Sequence, residues 1–157
     1  DMVQKIRVAK DTRSSDDFLI VARTDARTTH GLDEALRRAD AFAEAGADVL
    51  FVESPESEEE MRTICERFDL PLLANMVEGG RTPVLTKDEL QSLGYKIAIF
   101  PGSGFLAIAA ALDATYKQLK NHGSTAGSNV PFYPFADFSS LMGFDKVYAF
   151  DKKYRQD

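Results

Sequence analysis

Four short apolar runs recur along the chain with little in-out alternation, at residues 18–23, 47–53, 70–75 and 96–101. A strand buried on both faces requires such near-continuous apolar character, so the runs predict parallel strands. The segments between them carry helical spacing. Residues 32–45 place Leu32, Ala35, Leu36, Ala39, Phe42 and Ala43 on one face, and residues 58–68 and 87–93 have helical composition. Residues 2–10 and 104–121 add a helix before and after the series. Start and stop signals agree with this division. Asp33 and Glu34 sit in a first turn and Gly46 follows the last; Ser57 and Thr86 each stand three residues before a glutamate, as in a capping box; Gly94 closes the helix that Thr86 opens.

Strict alternation of strand and helix implies parallel strands joined by right-handed crossovers. Two architectures use it, an open doubly wound sheet and a closed eight-stranded barrel. Four strands are half of a barrel, which takes about 250 residues. No Gly-x-Gly-x-x-Gly or Walker-type loop follows any of the four runs, so the phosphate-binding device of the open nucleotide folds is missing. Polar residues instead end successive strands: Arg23, Glu53 and Asn75. In a barrel these three would converge on one rim, where barrel active sites are assembled.

The end of the chain breaks the repeat. A Gly/Ser-rich link at residues 122–129 leads to an aromatic-rich stretch with Phe132, Tyr133, Phe135 and Phe138, then to a helical pattern through Phe144 and Tyr148. The domain reading is therefore a barrel portion at 1–122, followed by a linker and helical tail at 123–157. The tail's apolar helix packs either on a neighbouring subunit or on its own barrel.

Composition narrows the function classes. The 157 residues are 44% hydrophobic and 28% charged, as in an ordinary globular protein. No apolar run reaches the roughly 18 residues of a membrane-spanning helix, so no membrane partner is expected. The net charge of −6, with scattered basic residues, disfavours nucleic acid. A single cysteine and an opening without a charged and apolar leader fit a cytoplasmic setting.

Each candidate residue has a chemical reason. The Arg23 guanidinium offers a planar fork for a carboxylate or phosphonate, with an ion pair to Asp25 as the alternative. Glu53 is suited to acid/base work or to orienting a substrate. Asn75 can bond a substrate oxygen without adding charge, or serve as a turn residue. The glycine-rich segment 78–83 lets backbone approach a ligand. The run Gly102-Ser103-Gly104 opens a helix whose amides could hold an anion, unless Ser103 is a simple cap. Cys65, inside a helix beside Ile64, reads as an inert core thiol. His30 and His122 receive no role.

The strings Val21-Ala22-Arg23-Thr24-Asp25-Ala26, Ala45-Gly46-Ala47-Asp48-Val49-Leu50-Phe51-Val52-Glu53, Leu72-Leu73-Ala74-Asn75-Met76 and Ile99-Phe100-Pro101 resemble the isocitrate lyase / phosphoenolpyruvate mutase family. The resemblance covers nearly the whole chain but only the C-terminal part of that family's fold. It implies an α/β chain forming the C-terminal part of a TIM (β/α)8 barrel: about four parallel β-α units and a helical tail that can be swapped between subunits. It also implies a Mg²⁺-dependent lyase or decarboxylase acting on a small 2-oxo or 2-hydroxy di-acid through an enolate-type intermediate, within a homo-oligomer, a dimer or tetramer. Arg23 would then bind a substrate carboxylate, and Glu53 and Asn75 would contact or orient the substrate.

The departures bound what this segment can do. The family's Asp-x-Asp metal motif, its Glu-Asp-Gln strand end and its Lys-Lys-Cys-Gly-His gating loop do not occur here, so the Mg²⁺ ligands and the catalytic cysteine would lie outside it, and isolated it would be inactive. Leu106 stands where 2-methylisocitrate lyases carry an arginine, and the tail lacks another, which favours a smaller acid. A phosphonopyruvate or carboxyphosphonoenolpyruvate mutase is the alternative chemistry, and a non-catalytic half-barrel the alternative class.

Overall fold

The structure, a computed structural model, describes residues 1–155. In chain order it contains α1 (Met2–Thr12), β1 (Val21–Thr24), α2 (Ala26–His30), α3 (Leu32–Glu44), β2 (Val49–Val52), α4 (Glu58–Arg67), β3 (Leu73–Asn75), α5 (Lys87–Leu93), β4 (Ile97–Ile99), α6 (Ser103–His122), α7 (Phe135–Leu141) and α8 (Phe144–Tyr154). Contacts divide the chain into two compact units between Leu106 and Ala107. The division falls inside the continuous helix α6, upstream of the Gly/Ser link at which the sequence suggests a boundary.

In the first unit all strand pairing is parallel and follows chain order. Val21 pairs with Val49 and Thr24 with Val52, while Leu73 pairs with Ile97 and Asn75 with Ile99. A single bridge between Leu50 and Leu72 joins the two pairs, with the Leu50 amide donating to the Pro71 carbonyl at 3.0 Å. Neighbours in sequence order are what a β/α barrel requires. The α/β alternation expected from the apolar runs is present, with shorter strands.

The first run is longer than its strand. Phe18 and Leu19 lie outside β1 and are exposed, and the Ile20 amide donates to the Asp48 side chain before the ladder begins. Asp48 also accepts from Arg13 at 2.7 Å, so one carboxylate pins both the end of α1 and the entry to β1. Helix α2 was not legible as apolar spacing; it is a single short segment that Gly31, at φ +85°, separates from α3. The Thr86 capping box forms in full, each partner bonding the other's backbone. The one expected at Ser57 forms only by half. Ser57 accepts from the Glu60 amide, but the Glu60 carboxylate accepts from Arg27 and from the Glu56 amide instead.

Period-two alternation along the strands sorts their side chains onto two faces. Ala22, Leu50, Val52, Leu72 and Ala74 join the main core with Ile6, Ala35, Phe42, Met61, Ile64 and Leu90 from the helices. Val49, Phe51 and Leu73 form a small second cluster on the opposite face, with Ile97 packed against it. That face frays at its margins, where Val21 is 45% and Ile99 37% exposed. In the second unit, α7 and α8 bury no residue, and Phe135, Leu141, Tyr148 and Phe150 are all more than half exposed. Among the described residues no helix is long and apolar enough to cross a membrane.

Candidate functional site

The carboxyl ends of β1, β2 and β3 bring Arg23, Glu53 and Asn75 together. Arg23 is the third residue of β1 and Asn75 the last of β3, while Glu53 follows β2 directly, its amide bonded to the Thr24 carbonyl. The Arg23 Nη2 atom lies 3.5 Å from Glu53 Oε2, and Asn75 Nδ2 donates to both Glu53 oxygens at 3.3 Å. The Ser54 hydroxyl donates to Glu53 Oε1 at 3.1 Å. Ser54 holds φ +58°, the only left-handed non-glycine backbone among the described residues, so the chain turns sharply where the site begins.

Arg23 forms the ion pair with Asp25 that its place at the strand end allowed. Its Nε and Nη2 donate to Asp25 Oδ1 at 3.0 and 2.7 Å while the same guanidinium faces Glu53. The Asp25 hydrogen bond raises the Arg23 pKa above the ordinary value, partial burial opposes this, and the charges of Glu53 and Asp25 add to the rise. The guanidinium also stacks over Phe51, its carbon 5.0 Å from the ring centroid. Phe51 thus lies beside the candidate site, a place that the apolar runs hid. Its position two residues before Glu53, on the same face, was the available signal.

Asn75 presents an unsatisfied acceptor. Donation from Nδ2 to Glu53 fixes which end of the amide faces the carboxylate, and Oδ1 is then buried without a hydrogen-bond partner. A buried acceptor left unpaired costs about 1–3 kcal/mol, so a donor at this position has something to gain. Asn75 lines a cavity of about 250 Å³ together with Glu53, Ser54, Val77, Gly80, Arg81 and Thr82. Arg23 borders a separate cavity of about 290 Å³ with Thr24 and Asp25. A larger cavity of about 500 Å³ runs along the exposed edge of β4 beside α5 and holds none of the three strand-end residues.

The remaining candidates resolve differently. The N-terminus of α6 already has a carboxylate near it, since Ser103 donates its hydroxyl to Glu78. This bond holds the Glu78 carboxyl below the usual range and ties the loop after β3 to the loop after β4. Cys65 is half-buried in α4, and burial pushes its thiol up to about 11, with contacts to Tyr95 and neighbouring charges as smaller influences. A thiol shifted in this direction is a weak nucleophile near neutral pH. His30 ends α2 and His122 ends α6.

Mg²⁺ does not fit the donors present. Glu53 is committed to Asn75, Ser54 and Arg23, Asp25 to Arg23, and among the described residues no group of three His, Cys, Asp or Glu side chains gathers at one point.

Sequential parallel strands with polar residues converging at their carboxyl ends define a portion of a β/α-barrel enzyme fold. The model of the phosphoenolpyruvate phosphomutase family matches residues 1–120, and the chain belongs to that family. It is 49% identical over 154 residues to the 2,3-dimethylmalate lyase of Eubacterium barkeri, covering 98% of this chain and 53% of that protein. It is 43% identical over 124 residues to the 2-methylisocitrate lyase of Bacillus subtilis, covering 79% of this chain and 40% of the relative. The crystal structure of a 2,3-dimethylmalate lyase, of the same superfamily, superposes with a TM-score of 0.81 at 34% identity over 97% of this chain and 54% of that one. The chain thus spans about half the length of the relatives it matches, and its α/β fold is that portion of their TIM barrel.

Proposed function

We propose that this chain is the C-terminal portion of a lyase or decarboxylase that acts on a small 2-oxo or 2-hydroxy di-acid through an enolate-type intermediate. The buried, unpartnered Asn75 Oδ1 carries the reading. Asn75 lines the adjoining cavity, and a turn of its amide that uncovers Oδ1 would let it accept from a 2-hydroxyl or enol O–H. Glu53 orients the Asn75 amide through its two bonds and stays close enough to Arg23 to keep that guanidinium at the rim. Arg23 would hold a substrate carboxylate and stabilise negative charge that develops beside it.

The similarity to a 2,3-dimethylmalate lyase supports lyase chemistry on a small di-acid over phosphonate chemistry. The Mg²⁺ that the family resemblance implies would draw its ligands from outside this segment, and no step here depends on it. A cytoplasmic setting and a homo-oligomer belong to the same proposal; the unburied apolar faces of α7 and α8 support the second.

The test is the Arg23→Ala variant in the full-length polypeptide, assayed with 2,3-dimethylmalate, oxaloacetate and phosphonopyruvate. Removing a charged fork to a carboxylate is expected to raise KM by roughly tenfold or more while circular dichroism stays unchanged. Unchanged kinetics would reduce Arg23 to a partner of Asp25. Turnover of phosphonopyruvate alone would replace the lyase reading with the mutase one.

A further inference from the structure

The strand-end cluster is short of positive charge. Arg23 stands between two carboxylates, Asp25 and Glu53, and hydrogen-bonds the first through two nitrogens. Taken together these three groups are net negative, so Arg23 by itself offers little attraction to a second anionic group on a ligand. The cavity beside Asn75 does contain another cation. Arg81 is the only basic side chain lining it, and the structure gives it neither an ion pair nor a hydrogen bond among the described residues.

Its neighbours set Arg81 in place. Arg81 sits on the loop between β3 and α5, just after a tight turn in which the Gly80 amide donates to the Val77 carbonyl at 3.0 Å. Gly79 holds φ +73°, a conformation that side chains resist, so the turn depends on glycine at that position. The loop is anchored by the hydrogen bond from Ser103 to Glu78. Gly102 packs beside it, since a Cβ there would meet Val77 at 3.7 Å and Glu78 at 4.0 Å. An exposed arginine on a loop fastened at two points next to a cavity is held near its ligand without being neutralised by the protein.

We propose that Arg81 determines specificity at this site by binding the distal carboxylate of a di-acid whose 2-hydroxyl end lies against Asn75 and Glu53. The inference rests on the reading of the site as one for small hydroxy or oxo acids and adds to it the selection of two carboxylates over one. The planar guanidinium suits two-point recognition of a carboxylate, and a lysine at the same place would supply charge with a poorer fit. The Glu78–Ser103 bond contributes as a positioning contact, keeping the loop beside the cavity.

The experiment compares malate, a 2-hydroxy di-acid, with lactate, the mono-acid that lacks only the distal carboxylate, by calorimetric titration of the full-length polypeptide. In the wild type, malate is expected to bind more tightly than lactate. Arg81→Gln is expected to lower that malate-to-lactate ratio by roughly tenfold, the scale of one charge-assisted bidentate contact, and Arg81→Lys to restore part of it. Among the described residues Arg81 bonds nothing, so circular dichroism is expected to be the same for all three. A ratio that Arg81→Gln leaves unchanged overturns the specificity role while leaving the hydroxy-acid site intact. Absence of binding by both acids in the wild type overturns the hydroxy-acid reading, and the role of Arg81 with it.

Discussion

The two faces of the strand array have opposite fates. The helix-facing side is sealed: Leu50 is 1% exposed, and Met61 and Ile64, which reach it from α4, are completely buried. The opposite side consists of Val49, Phe51 and Leu73 with exposed residues at both margins. The same apolar runs supply both faces, so hydrophobicity alone does not distinguish them. What differs is the cover. Each strand is followed by a helix that returns over one side, while the other side is closed in a barrel only when strands encircle it. The polar residues of the site project from the rim of that second side, where a less complete apolar seal leaves room for a ligand.

The comparison is most exposed to a pair of identical truncations, Leu50→Ala on the sealed face and Leu73→Ala on the open one. Loss of about 3–4 kcal/mol is expected for Leu50→Ala and about 2 kcal/mol for Leu73→Ala, read from urea denaturation, because the fully enclosed site leaves the larger residual cavity. Equal losses would show that the second face is as well packed as the first.

A smaller effect tests the helix layer that seals the first face. Gly94 holds φ +120°, and a Cβ there would sit 3.1 Å from Cys65 Cβ in the neighbouring helix. Gly94→Ala is expected to cost about 1–3 kcal/mol in the same measurement, from backbone strain and the tight approach together. A neutral result would mean that α4 and α5 can separate freely, and that the seal is looser than its burial indicates.

The smallest expected effect is electrostatic. The Arg27 hydrogen bonds hold the Glu60 carboxyl below its ordinary value despite partial burial, and the Glu56 amide adds to the shift. Because the folded pKa lies below the unfolded value of about 4.3, this stabilisation is present above that pH and is lost as the pH falls through the folded pKa. Glu60→Gln is expected to flatten the acid-side loss of stability, by under about 1 kcal/mol for a partly exposed pair. An unchanged slope would remove the α2–α4 ion pair from the forces that hold the sealed face.

Much of this was readable before any coordinates. Near-continuous apolar runs interleaved with capped helical segments indicate an α/β chain, since strands buried on two sides and amphipathic helices have different hydrophobic patterns. Arg23, Glu53 and Asn75 stood out because a polar residue that ends an apolar run has a recognisable place in such a fold. Cys65 reads as a core thiol from its helical neighbours, and it packs half-buried against the core. The full capping box at Thr86 was equally legible, while Ser57 shows the limit: its glutamate had the right spacing but a better partner in Arg27, thirty-three residues away in sequence.

What tertiary structure alone decided concerns groups brought together across strands. Sequence placed three polar residues at strand ends, but register put Phe51 beneath Arg23 and aligned Asn75 so that one end of its amide faces Glu53 and the other is left unpaired. The same pairing set Arg81 beside a cavity and gave Ser103 an internal carboxylate as its partner. Local sequence sets backbone period and turn chemistry because those act within a few residues. Which donor meets which acceptor depends on contacts between segments far apart in the chain, whose spacing only the packed strands and helices define.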